Sequence, residues 1–117
     1  MTRTLAIAAV LLLMLTGCLA GSRAHELAAL LEVAPELMRA TPAEAELPPD
    51  QWPTELKAFE PKRVYATQDG IYIVTSTFFV DEKGLFLPRS PAFVPSAGND
   101  PEFGFIVEGL YSYELEG

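Results

Sequence analysis

The chain has 117 residues, with 16 acidic against 8 basic side chains and a formal net charge of −8. That balance excludes nucleic acid as a partner, since phosphates are held by Lys and Arg, and it opposes adhesion to anionic headgroups. One cysteine excludes an internal disulfide, and the one histidine, His25, leaves a zinc site of nitrogen and sulfur ligands incomplete.

At the N-terminus Arg3 supplies a positive charge, and residues 5–15 then run without a polar side chain. As a helix these eleven residues would span roughly 16 Å, against about 30 Å of bilayer hydrocarbon. The run therefore fits the apolar region of a signal peptide rather than a transmembrane span. It leads into Leu15-Thr16-Gly17-Cys18, which resembles the lipobox of bacterial lipoprotein precursors. The resemblance implies cleavage between Gly17 and Cys18, acylation of the Cys18 sulfur and a further acylation point at the new amino group. The membrane is then a partner through lipid on Cys18. One acyl chain holds only marginally, whereas two or three hold durably. Leu19 stands where Asp would mark inner-membrane retention in proteobacterial lipoproteins. It points to an outer-membrane protein facing the periplasm, in a host with two membranes. The residues also leave open an ordinary secretory signal cut after Ala20 or Ala24, and an uncleaved anchor.

On the lipoprotein reading, residues 1–17 are removed and the mature chain becomes one charge more negative, because Arg3 leaves with them. Residues 18–53 then read as a tether carrying an amphipathic helix and a proline-rich linker, and residues 54–117 as a small β-rich domain. The helix is predicted from Leu27, Leu30 and Leu31 at i, i+3, i+4, with Ser22 as N-cap and Pro35 as stop or kink. Pro42, Pro48, Pro49 and Pro53 mark the linker. Trp52 lies within it, either as a lid over the edge of the core or as a partner-binding platform. Residues 54–59 are expected to form a helical turn or two.

The β-rich part begins at Lys62. Asp69-Gly70, between 63–68 and 71–80, predicts a two-residue hairpin turn that pairs Gln68 with Ile71, Tyr65 with Val74 and Val64 with Thr75. Val64, Ala66, Ile71 and Ile73 then share one face, while Tyr65, Tyr72 and Val74 share the other. Both faces are apolar, so the hairpin is expected at the centre of the sheet. Asp81-Glu82-Lys83-Gly84 predicts a second turn, followed by a strand over 85–87 that Pro88 ends. Residues 89–101 form a long loop with three prolines. For 103–115 a single strand is preferred, with Gly109 as a bend or bulge. A hairpin at Glu108-Gly109 would set Phe105 against Ser112, an apolar residue against a polar one. The fold expected is α+β: a small antiparallel sheet of about four strands with one or two short N-terminal helices. Residues 69–88 are similar to segments of small uncharacterised bacterial proteins, a likeness that carries no catalytic motif.

No catalytic, cofactor or metal constellation emerges. Glycines stand singly, so no loop cradles a phosphate. Asn99, Asp100 and Glu102 lack the spacing of an EF-hand. Glu108 and Glu114, on one strand, would stand roughly 20 Å apart, too far for the pair of carboxylates a glycosidase needs. Phe93, mid-loop in Pro91-Ala92-Phe93-Val94-Pro95, either pins the loop to the domain or forms an exposed partner-binding anchor. The expected function is a lipid-anchored cell-envelope protein of non-enzymatic binding type, with an envelope protein as partner and an inhibitor or immunity-like role as one version. The alternatives are an envelope hydrolase using carboxylates and an orphan structural lipoprotein.

Overall fold

A computed structural model describes residues 21–95 and 101–116. The signal-peptide readings, Cys18 and part of the 89–101 loop fall outside them. Helix α1 runs over Gly21–Ala40. A 3-10 turn at Pro49–Gln51 and the short helix α2, Thr54–Lys57, lead into five strands. These are β1 (Arg63–Ala66), β2 (Gly70–Phe78), β3 (Asp81–Pro88), β4 (Glu102–Val107) and β5 (Leu110–Leu115). They form one antiparallel sheet in the order β1-β2-β3-β5-β4. The fold is α+β as expected, with a fifth strand.

Pro35 neither stops the helix nor separates it from the sheet. Leu27, Leu30, Leu31, Ala34, Leu37 and Met38 form one helical stripe that crosses the proline and enters the main core. A proline inside a helix costs about 3 kcal/mol, through a lost hydrogen bond and a clash with the preceding turn. Full burial of a leucine returns about 1.5–3 kcal/mol, and Leu30 and Leu37 on either side of Pro35 are both buried. The packing therefore outweighs the break. Pro35 itself lies on the exposed side.

The proline-rich stretch that composition reads as a linker is part of the same body. The Glu44 amide donates to Ala66 O, the Leu47 amide to Val64 O, and the Ala66 amide to Ala45 O, at 2.8–3.0 Å. Residues 44–47 thus line the outer side of β1 and satisfy an edge that would otherwise stay open. Leu47 is buried, and the Trp52 indole N–H donates to its carbonyl at 2.9 Å while the ring packs on the core. The boundary at residue 53 does not divide the core, because Leu30, Leu37, Leu47 and Leu56 share one cluster with Val64, Ile71, Ile73 and Leu87.

The first hairpin keeps its predicted faces and shifts its register by two residues. Ala66 pairs with Ile71, Tyr65 with Tyr72 and Val64 with Ile73. Side chains alternate with period two, so a two-residue shift leaves each on the same face. Val64, Ala66, Ile71 and Ile73 meet the helix, whereas Tyr65 and Tyr72 join an aromatic cluster on the other side.

The second turn moves further. Asp81 to Gly84 belong to β3, and the chain reverses at Phe79-Val80, between Phe78 and its partner Asp81. Cross-strand partners hold this polar segment extended: Glu82 accepts hydrogen bonds from two tyrosines, and Lys83 pairs with Glu114 at 3.2 Å. The reversal falls on Phe79, with φ of +56°, a left-handed value that bulky residues rarely adopt.

The C-terminal segment is a hairpin, not a single strand. An irregularity between Phe105 and Val107 lets Phe105 pair with Tyr111, and Phe103 with Tyr113. That bulge removes the clash of apolar against polar side chains that disfavours the hairpin on paper. Gly109 makes the turn at φ of +86°, where glycine has no steric penalty.

Candidate interaction surface

The two faces of the sheet are built differently. One is covered by α1, α2 and Trp52. Among the described residues the other carries no helix and is closed by its own aromatic side chains. Tyr72 lies 4.7 Å from Phe86 and 4.8 Å, edge-on, from Tyr113. Such pairs add about 0.5–1.5 kcal/mol each beyond the area they bury.

Phe93 belongs to this cluster. Its ring lies 5.1 Å from Phe86 and 5.4 Å from both Phe103 and Tyr111. Ser90 shapes the approach, accepting from the Phe93 amide through its carbonyl and from the Ala92 amide through its hydroxyl. The ring is half-buried, and its contacts tie residues 90–95 to the sheet. Trp52 is likewise half-buried, over the edge of the helix-side core and away from the aromatic cluster. The two side chains singled out as partner contacts therefore lie in different hydrophobic clusters.

Glu82 sits at the margin of the aromatic face. Its Oε2 accepts from Tyr65 Oη at 2.6 Å and from Tyr113 Oη at 2.7 Å. Burial pushes both phenols well above their ordinary pKa, and the Glu82 carboxylate pushes them further. Burial also raises Tyr72. In the unfolded chain these groups ionise near pH 10. The folded protein holds more protons above that point, so this contribution to stability is intact below about pH 10 and falls as pH rises further. Urea midpoints measured across the alkaline range, alongside tyrosinate absorbance, should drop beyond that pH. Glu82→Gln removes the charge contribution and should make the drop shallower. A midpoint that stays flat through tyrosine ionisation would contradict the burial of Tyr65 and Tyr113 against Glu82.

Exposed apolar surface concentrates in two places. The first is β4, an edge strand whose outer side meets no strand among the described residues. Phe105 there is 70% exposed, and Val107 is also exposed. The second is the β2–β3 turn, where Phe78, Phe79 and Val80 are 68%, 91% and 69% exposed. The Phe78 and Phe79 rings touch edge to face at 4.5 Å. Sequence reasoning missed both. The run Phe78-Phe79-Val80 looks like core until the turn is placed on it, and β4 becomes an edge only once Glu108-Gly109 makes a hairpin.

The remaining candidates stay apart. Glu108 lies in the β4–β5 turn and Glu114 towards the far end of β5, paired with Lys83. His25 is exposed on the first turns of α1. Among the described residues no three His, Cys, Asp or Glu side chains come together as a metal site, and no helix is long and apolar enough to cross a membrane. The chain matches no family model, and no curated protein or solved structure matches it.

Proposed function

We propose that this chain is a lipid-anchored cell-envelope protein that works by binding an extended segment of another envelope protein along β4. The anchor half of the reading is supported by the Leu15-Thr16-Gly17-Cys18 run after a short apolar stretch. The observation that carries the binding half is the open edge. Phe103-Gly104-Phe105-Ile106-Val107 has no lysine and no proline, the usual guards against strand pairing, and one side of its backbone is unclaimed among the described residues. A peptide added to such an edge gains main-chain hydrogen bonds, and side-chain contacts give it selectivity. Here Phe105 and Val107 supply the apolar contacts. Glu102 and Glu108, at the two ends of β4, favour basic residues flanking the bound segment.

Phe105→Lys tests this. The side chain is mostly exposed, so the urea midpoint should stay close to that of wild type. Recovery of the partner from detergent-solubilised envelope should fall about tenfold or more, as expected for loss of an aromatic interface anchor. Bound partner should also slow hydrogen exchange of β4 amides in the wild type. Unchanged recovery with the Phe105→Lys protein, or protection elsewhere than β4, would refute the edge as the site.

A further inference from the structure

We infer that the Phe78-Phe79-Val80 turn enters the lipid bilayer beside the anchor, giving the chain a second membrane contact. The inference rests on the lipid-anchor reading of Cys18.

Three consecutive apolar side chains at one turn form a contiguous patch. Exposure of that kind marks a contact, whereas scattered exposed apolar residues are ordinary. The left-handed backbone at Phe79 turns its ring away from the sheet instead of folding it back, leaving it the most exposed of the large apolar side chains described.

The direction of α1 identifies what the patch meets. The C-terminal end of the helix is fixed by Arg89, whose guanidinium donates to Met38 O at 3.4 Å and to Thr41 O at 3.1 Å. Arg89 follows β3, and its amide donates to Asp69 O in the β1–β2 turn. The helix C-terminus therefore lies at the sheet end opposite the Phe79 turn. Its N-terminal Arg23 lines a groove with Thr75, Lys83 and Glu114. Lys83 and Glu114 also border a second groove with Phe78 and Asp81. Helix α1 has 20 residues and β2 has 9. Each spans roughly 30 Å at about 1.5 and 3.3 Å per residue, so the helix start and the apolar turn share one end of the molecule.

Only Leu19 and Ala20 separate Cys18 from Gly21. Three extended residues reach about 10 Å. A lipid on Cys18 would therefore hold this end of the domain at the bilayer, with the turn within reach of it. Tethering raises the local concentration of the turn at the membrane, so a patch too small to recruit a free protein suffices for an anchored one. Ser76, Thr77 and Asp81, just behind the tip, limit entry to the headgroup boundary, the depth at which apolar side chains of surface-bound segments rest. The acidic surface of the chain favours zwitterionic over anionic lipid.

The test is bromolipid quenching with the full chain, processed in its host and reconstituted into phosphatidylcholine vesicles. Phe79→Trp places an indole at the tip, and the wild type supplies the Trp52 baseline. The tip indole should shift to the blue and lose roughly half its emission when the acyl chains are brominated, as for a ring at the headgroup–acyl boundary. Trp52 should change little. An indole at position 79 that brominated lipid does not quench overturns the inference, and a blue shift without quenching does so by revealing a protein surface, such as a second copy, over the tip. Palmitate incorporation into wild type and Cys18→Ala reads the anchor separately. Labelled protein with an unquenched tip removes the bilayer contact and keeps the anchor. A quenched tip in unlabelled protein keeps the bilayer contact and removes the anchor.

Discussion

Leu30→Ala is expected to cost about 2–5 kcal/mol of stability, the range for deleting a buried leucine side chain. Leu30 has no exposed surface and belongs to the main core together with Leu56, Ile71 and Ile73. A domain of this size has only about 5–15 kcal/mol in total. The variant should therefore unfold at distinctly lower urea, in a single transition followed by both tyrosine fluorescence and far-ultraviolet dichroism. If α1 were a tether outside the folded unit, Leu30→Ala would melt like wild type. The measurement thus separates an integral helix from an appended one.

Gly84→Ala should be as damaging for a different reason. Gly84 pairs with Val74 on one side and Tyr113 on the other. A Cβ at this position would lie 1.8 Å from Ile73 O and 2.9 Å from Ile73 C. Both are backbone atoms of the neighbouring strand, so no side chain can swing aside. Relief requires β2 and β3 to separate next to the irregularity between Val74 and Ser76. A penalty above about 3 kcal/mol is expected, beyond the usual range for overpacking, because backbone rather than a rotamer must yield. Urea unfolding checks this. A stability within about 1 kcal/mol of wild type would mean that the strands are not held in this register.

Much of the fold is legible in the residues, and the failures share a cause. The faces of β1 and β2 are readable because alternation is a local property, unaffected by a two-residue slip. The stripe Leu27-Leu30-Leu31 announces the helix. Its continuation past Pro35 depends on the sheet beneath Leu37 and Met38, which no local pattern reveals. Asp81 to Gly84 have turn composition, yet Glu82 is drawn into β3 by Tyr65 and Tyr113, respectively 17 and 31 residues away. The C-terminal hairpin depends on a bulge that realigns Phe105 with Tyr111, and a bulge leaves no fixed mark in composition. The candidate contact surfaces follow from these same long-range choices. Phe79 is exposed because the turn falls on it, and Phe105 because β4 is last in the sheet.

The strand order carries a consequence for how the sheet opens. Strands β1, β2 and β3 form a meander in chain order, but β5 docks on β3 and leaves β4 outside. The β4–β5 pair closes on its own turn and pairs with the rest of the sheet through β5 alone, with Phe103 of β4 packing its ring on Phe86 at 4.9 Å. It is therefore a natural unit of partial unfolding, one that detaches or docks as a piece while the meander and α1 persist. Its outer strand would be the first to lose protection and the most available for exchange with an incoming strand. Such an opening must release Tyr111 and Tyr113 of β5 and Phe103 of β4, whose rings pack on Phe93, Tyr72 and Phe86 of the remaining body.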